Sequence, residues 1–207
     1  MNFKKIWLFF FLSFLFLTFV SGWAEEDPET EVPAGEAFEG PPPQEIGYSF
    51  VQNLPEARVV RYRNQKKSEA QWLGNRFRFP EAAGTADVFV AENFVVNGSL
   101  HEAIAVSLQP GFDTSLLFTH VPAGKRLKLF VAFPDFGLKK EKVVPAEVEV
   151  WIGQKKILET QVSTKGWKQE QVDLFLPFLL QRSYGFTIRL RSSDTEPKTV
   201  LLYGYLE

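Results

Sequence analysis

The sequence predicts an all-β domain built as an antiparallel two-sheet β-sandwich. Three observations carry this. Short runs with apolar residues at alternate positions recur along the chain, Gly, Pro, Asn and Asp separate them, and no stretch sustains a helical period. One clean apolar face per run favours two sheets packed over a shared core. No internal repeat of fixed period is evident, which argues against a propeller or a β-helix.

The elements follow in order. Arg58–Tyr62 is a short strand, and Trp72–Phe79 is another that ends at Pro80. In "HEAIAVSL", Ile104, Val106 and Leu108 share one face and Ala103, Ala105 and Ser107 the other. "TSLLFTHV" and the turn "PAGK" lead to "RLKLFVAF", where Leu127, Leu129, Val131 and Phe133 are in phase. "VEVWIGQKKILETQV" reads as a hairpin turning at Gly153-Gln154. "QVDLFL" aligns Val172, Leu174 and Leu176, and a short helical turn fits in Leu174–Gln181. "YGFTIRLR" aligns Tyr184, Phe186, Ile188 and Leu190 opposite Thr187, Arg189 and Arg191, and "TVLLYGYLE" forms the last strand.

The chain divides into three parts. Residues 1–24 read as a signal peptide: Lys4 and Lys5 precede the uncharged run Ile6–Val20, and Gly22-Trp23-Ala24 places small residues for cleavage after Ala24. A retained membrane anchor is the competing reading. Residues 25–45 are rich in Glu, Pro and Gly and form an acidic, Pro-rich spacer, disordered or extended. Residues 46–207 form the sandwich. Export with no cysteine, hence no disulfide and no lipid-modified Cys, points to a bacterial envelope protein, periplasmic or extracellular. There Asn97-Gly98-Ser99 is a chance glycosylation sequon in a turn. A net charge of −2 gives no general attraction to nucleic acid, and the membrane is met only through the signal peptide.

The motif order "HEAIAVSLQPG", "TSLLFTHVPAGKRLKLFVAF", "EVEVWIGQKKI", "KGWKQEQVDL", "FTIRLR", "LYGYL" resembles the galactose-binding-like jelly roll, and in particular bacterial carbohydrate-binding modules of the NPCBM type. The resemblance covers roughly the last half of the chain, with "GW…VDL" its most specific part. It implies a jelly roll and a glycan ligand. It also implies architectural roles for two residues: Trp167 capping a sheet edge and Asp173 receiving hydrogen bonds from loop amides. It further implies that a structural Ca²⁺ is an option, with Asp113 and Asp135, and beside them Asp87 and Glu92, as loop carboxylates; no other cofactor is called for. Leu138-Lys139-Lys140 departs from the small or acidic loop residues usual in such modules.

Catalysis is poorly supplied. There is no Cys, the two histidines are His101 and His120, and no serine sits in a nucleophile elbow. His120, at a strand end, reads as a hydrogen-bonded structural histidine. Glu147 and Glu149 stand about 7 Å apart on one strand face, a spacing that glycosidases use. Yet they face outward beside Lys155 and Lys156, where an ion-pair face explains them more simply.

Trp151 poses the question of function. It shares a phase with Glu147 and Glu149, away from Val148, Val150 and Ile152. Its ring could lie under the segment Tyr48–Arg63, contact a protein, or hold a sugar, which needs an aromatic face and a few polar groups. Tyr203 and Tyr205 share a phase on the last strand and either join Trp151 or lie on the opposite sheet. Trp72 reads as a core anchor. The basic run "RVVRYRNQKK" reads as a solvated strand and turn, or as a contact for anionic envelope polymers. The reading is an exported, non-catalytic binding module for glycan or envelope polysaccharide. The alternative is a structural or assembly subunit of a bacterial envelope complex that binds protein through an aromatic sheet face; a hydrolase is third.

Overall fold

The alternating runs become strands, and their order is that of a jelly roll. The computed structural model describes residues 47–80, 87–96, 98–135, 144–163, 166–174 and 183–207, all within one compact unit, Ala37–Glu207. The expected signal peptide and spacer lie outside the described residues, as do Asn97, Leu138-Lys139-Lys140 and most of the turn expected at Leu174–Gln181. Among the described residues no helix is long and apolar enough to cross a membrane.

The strands are β1 Tyr48–Ser49, β2 Arg58–Arg63, β3 Lys66–Glu69, β4 Gln71–Trp72, β5 Arg76–Arg78, β6 Asp87–Val96, β7 Ser99–Leu108, β8 Asp113–Pro122, β9 Arg126–Ala132, β10 Ala146–Ile152, β11 Lys155–Val162, β12 Lys168–Asp173, β13 Ser183–Ser192 and β14 Lys198–Leu206. From β7 on, antiparallel pairing is nested: β10 with β11, β9 with β12, β8 with β13 and β7 with β14. This is one long hairpin, four strands out and four back, rolled over so that successive strands of each arm fall in opposite sheets. Sheet A runs β12-β9-β14-β7-β6-β5-β4, with β1 on the end of β14; sheet B runs β11-β10-β13-β8-β2-β3.

The core lies between the sheets. Sheet A contributes Ile104, Val106, Leu129, Val131, Val200 and Leu202, and sheet B contributes Leu116, Phe118, Val148, Val150, Ile188 and Leu190, all buried. Each such side chain stabilises by about 1.5–3 kcal/mol when fully buried. Phe50 enters from the N-terminal side, with ring centroids 4.9 Å from Phe118 and 5.7 Å from Phe186. It fits because β14 carries Gly204 at that inward position, where a Cβ would stand 3.2 Å from the Phe50 ring and 3.1 Å from Leu129.

Three local expectations are corrected. Trp72–Phe79 is two strands, β4 and β5, joined by a turn in which the Leu73 N–H donates to the Arg76 carbonyl at 2.8 Å and Gly74 has φ +88°. Strand β6 had no expectation at all. "DVFVAENFVV" does not alternate between apolar and polar, because its outer face is also covered: Ala91 and Val96 belong to a second apolar cluster with Ala103, Ala105, Ala132 and Leu201. Asp87 and Glu92, taken as loop carboxylates, lie on this strand. Tyr48–Arg63 does not cover Trp151: Phe50, Val51 and Leu54 sit in the core, and β2 is in the same sheet as β10, separated from it by β8 and β13.

Candidate ligand-binding site

Trp151 lies on the outer face of sheet B. Between Val150 and Trp151 the register with β11 shifts by one residue, Ile157 being the extra residue on β11, while the pairing with β13 stays regular. The ring is half-buried, opposite Lys156 on β11 and Thr187 on β13. Its Nε1–H donates to Glu149 Oε2 at 3.1 Å. Glu149 is buried, 6 % exposed, and Lys156 Nζ donates to its other oxygen at 3.4 Å. The Lys156 ammonium stands 5.7 Å from the Trp151 ring centre and is also paired with Glu159. These carboxylates, Glu159 first, hold Lys156 above its ordinary pKa. Burying a carboxylate is costly unless it is hydrogen-bonded; here the indole and the ammonium supply the bonds. Glu147 pairs with Arg191 on the neighbouring strand. The two acids therefore stand in an ion-pair face.

Tyr203 and Tyr205 do not join this site. They lie on the outer face of sheet A, on the far side of the core. Tyr205 is buried, its ring stacked at 19° and 6.3 Å from Phe130, while Tyr203 is half-buried 5.9 Å from each. Burial raises the Tyr203 phenol above its ordinary pKa. Of the three rings, Tyr203 is the one that is partly exposed. Among the described residues the exposed large apolar side chains are Tyr62 and Leu73.

The remaining residues are dispersed. Trp167 packs on the outer face of sheet A, edge-on to His101 at 5.4 Å. Asp173 is exposed at the end of β12 and accepts from Arg126 Nε at 2.8 Å, so it serves an ion pair where loop amides were expected. Asp113 is paired with Arg189 in sheet B, whereas Asp135 follows β9 in sheet A and accepts the Gly98 N–H at 3.3 Å. Asp87 is buried between Arg76 and Arg78. Among the described residues no three His, Asp or Glu gather to hold a metal. His120, expected to be a hydrogen-bonded structural residue, is exposed at backbone φ +61°. Trp72 packs half-buried on the core edge, 4.9 Å from Phe77.

One feature was hidden in the basic run. A groove of about 330 Å³ opens at one end of the sandwich, lined by Arg61, Arg63, Asn64, Lys66, Lys67, Ser68 and Phe112. Asn64 and Gln65, at φ +47° and +66°, make the tight turn that sets Arg63 opposite Lys66. Pro110-Gly111 makes a turn closed by the Phe112 N–H on the Gln109 carbonyl, with Gly111 at φ +74°, and so places the Phe112 ring.

No protein-family model matches the sequence, and no curated protein matches it. Carbohydrate-binding modules are among the solved structures it is similar to. One is the module CBM27-1 of Caldicellulosiruptor saccharolyticus in complex with mannohexaose, 11% identical over 57% of this chain and 81% of that one, TM-score 0.42. Another is CBM51 from Clostridium perfringens GH95 in complex with methyl-galactose, 8% identical over 64% of this chain and 94% of that one, TM-score 0.41. A third is TmCBM61 in complex with beta-1,4-galactotriose, 19% identical over 58% and 82%, TM-score 0.36. The saccharides belong to those proteins.

Proposed function

We propose that this protein is an exported, non-catalytic glycan-binding module whose platform is the Trp151 face of sheet B. The observation that carries the reading is the state of the ring. Trp151 is half-buried yet still reaches the surface, and its N–H is fixed on the buried Glu149 carboxylate. A sugar ring offers C–H groups to an aromatic face and hydroxyls to its rim. Thr187, Arg189 and the Glu149/Lys156 pair supply that rim. An indole that is already oriented loses little further freedom on binding. Lys156, partly exposed, can swing aside or donate a hydrogen bond to a hydroxyl oxygen.

Assembly through an aromatic sheet face has less support, because two of the three rings on that face of sheet A, Phe130 and Tyr205, are buried. Hydrolysis has less support still, because Glu147 and Glu149 are each held in ion pairs. The test is a glycan array with neutral and acidic polysaccharides, followed by calorimetric titration of the best ligand. Saturable binding supports the reading; an empty array, with capture of an envelope protein through sheet A, overturns it.

A further inference from the structure

Arg61 is a buried charge in no ion pair among the described residues, with an unpartnered Nε. It faces the inside of the sandwich, between Thr114 on β8 and Ser68 on β3, and is 4 % exposed. Its guanidinium carbon lies 4.0 Å from the Phe79 ring centre and 5.1 Å from that of Phe112. Its Nη2 reaches the Ser107 carbonyl only at 3.5 Å, and its buried Nε has no hydrogen-bond partner. Buried charges are ordinarily paired and hydrogen-bonded. Burial lowers the Arg61 pKa, and the carboxylate that opposes this, Asp87, is itself held by Arg76 and Arg78.

The groove surrounds this residue with more positive charge. Arg63 stands 5.0 Å from the Phe112 ring, so one ring positions two guanidinium groups. Among the described residues, Arg61, Arg63 and Lys66 are in no ion pair, while the nearby acids are taken: Glu69 by Arg58 and Lys67, Asp113 by Arg189. Unpaired planar guanidinium groups suit an oxyanion, which they grip through parallel hydrogen bonds. A volume of about 330 Å³ suits one or two sugar units. The cations are confined to one hairpin on a chain of net charge −2, unlike the extended basic stripe a nucleic acid needs.

We propose that this groove binds the acidic group of an anionic glycan, a carboxylate or sulfate held by Arg61, Arg63 and Lys66. The saccharide half of this assignment rests on the glycan-binding reading above; the anion half does not. The test titrates the full chain with sodium sulfate, an oligogalacturonate, a sulfated oligosaccharide, a neutral oligosaccharide and a single-stranded oligonucleotide, while following the arginine Nε–H signals by NMR.

The expected result is that the acidic saccharides shift the Arg61 Nε–H signal and bind more tightly than sulfate. Their affinity falls about tenfold in Arg63→Gln and in Lys66→Gln, both exposed sites that spare the fold, and further in Arg61→Gln. Neutral-saccharide binding stays unchanged in all three variants. An unmoved Arg61 signal, or equal affinity in the variants, overturns the site. Sulfate binding with no gain from the sugar, or tighter binding of the oligonucleotide, overturns the acidic-glycan assignment. No neutral-saccharide binding by the unaltered chain, with acidic binding present there and weakened in the variants, counts against the Trp151 platform and leaves this site standing.

Discussion

The indole N–H of Trp151 donates to a carboxylate oxygen of Glu149, two residues earlier on the same strand face, at 3.1 Å. The ring thus lies over its own acid, and Lys156 bonds the acid's second oxygen. A buried acid and a half-buried ring explain each other: the indole helps satisfy the carboxylate, and the carboxylate fixes the indole.

Replacing the acid should therefore loosen the ring. Glu149→Leu is expected to cost about 1–3 kcal/mol by stranding the indole N–H and removing the bond to Lys156. That corresponds to a fall of roughly 2–4 °C in Tm per kcal/mol for a domain of this size. Glu149→Gln keeps an acceptor and should cost less. Thermal unfolding followed by near-ultraviolet circular dichroism reads both the stability and the tryptophan environment.

Gly204 makes room for Phe50. Gly204→Val should push against the Phe50 ring and the Leu129 side chain, both within 3.2 Å of a Cβ there. Overpacking of this kind costs about 1–3 kcal/mol. Pairing the change with Phe50→Ala should recover part of the clash while adding the loss of the ring. A double-mutant cycle in denaturant gives a non-additive coupling if the contact is as described.

His101 predicts a pH dependence. Burial lowers its pKa below the ordinary 6.5, partly opposed by its hydrogen bond to the Val96 backbone. The unfolded chain therefore binds the proton more readily. Its contribution to stability is complete above pH 6.5 and is lost as pH falls from there toward the folded pKa. The ion pairs that hold Glu69, Glu159 and Asp194 below the usual carboxylate range act lower, losing their contribution only in acid. His101→Gln should remove the first slope and keep the second, as measured by Tm from pH 7.5 down to 3.

Much of the fold was legible because strands with one covered face alternate cleanly. Ile104/Val106/Leu108 on β7 and Phe186/Ile188/Leu190 on β13 were assigned to the right face from period alone. Strand β6 was not, because both its faces are covered and the alternation disappears. The site was half legible. The phase of Trp151 with Glu147 and Glu149 was readable, but the grouping with Tyr203 and Tyr205 was not, since sheet membership depends on long-range pairing. Arg61 was hidden for a simpler reason: in "RVVRYR" nothing distinguishes the inward arginine from its solvated neighbours until β2 is paired with β8.

Trp151→Ala, measured in parallel for unfolding and for calorimetric binding of the best neutral array ligand, tests the platform most directly. The expected result is a stability loss of about 1–3 kcal/mol, from a half-buried ring and the hydrogen bond that Glu149 loses, with loss of detectable saccharide binding. Unchanged binding in the folded variant would contradict it. So would a loss of about 3–5 kcal/mol, the cost of removing a core tryptophan, because the ring would then be packing and not a platform.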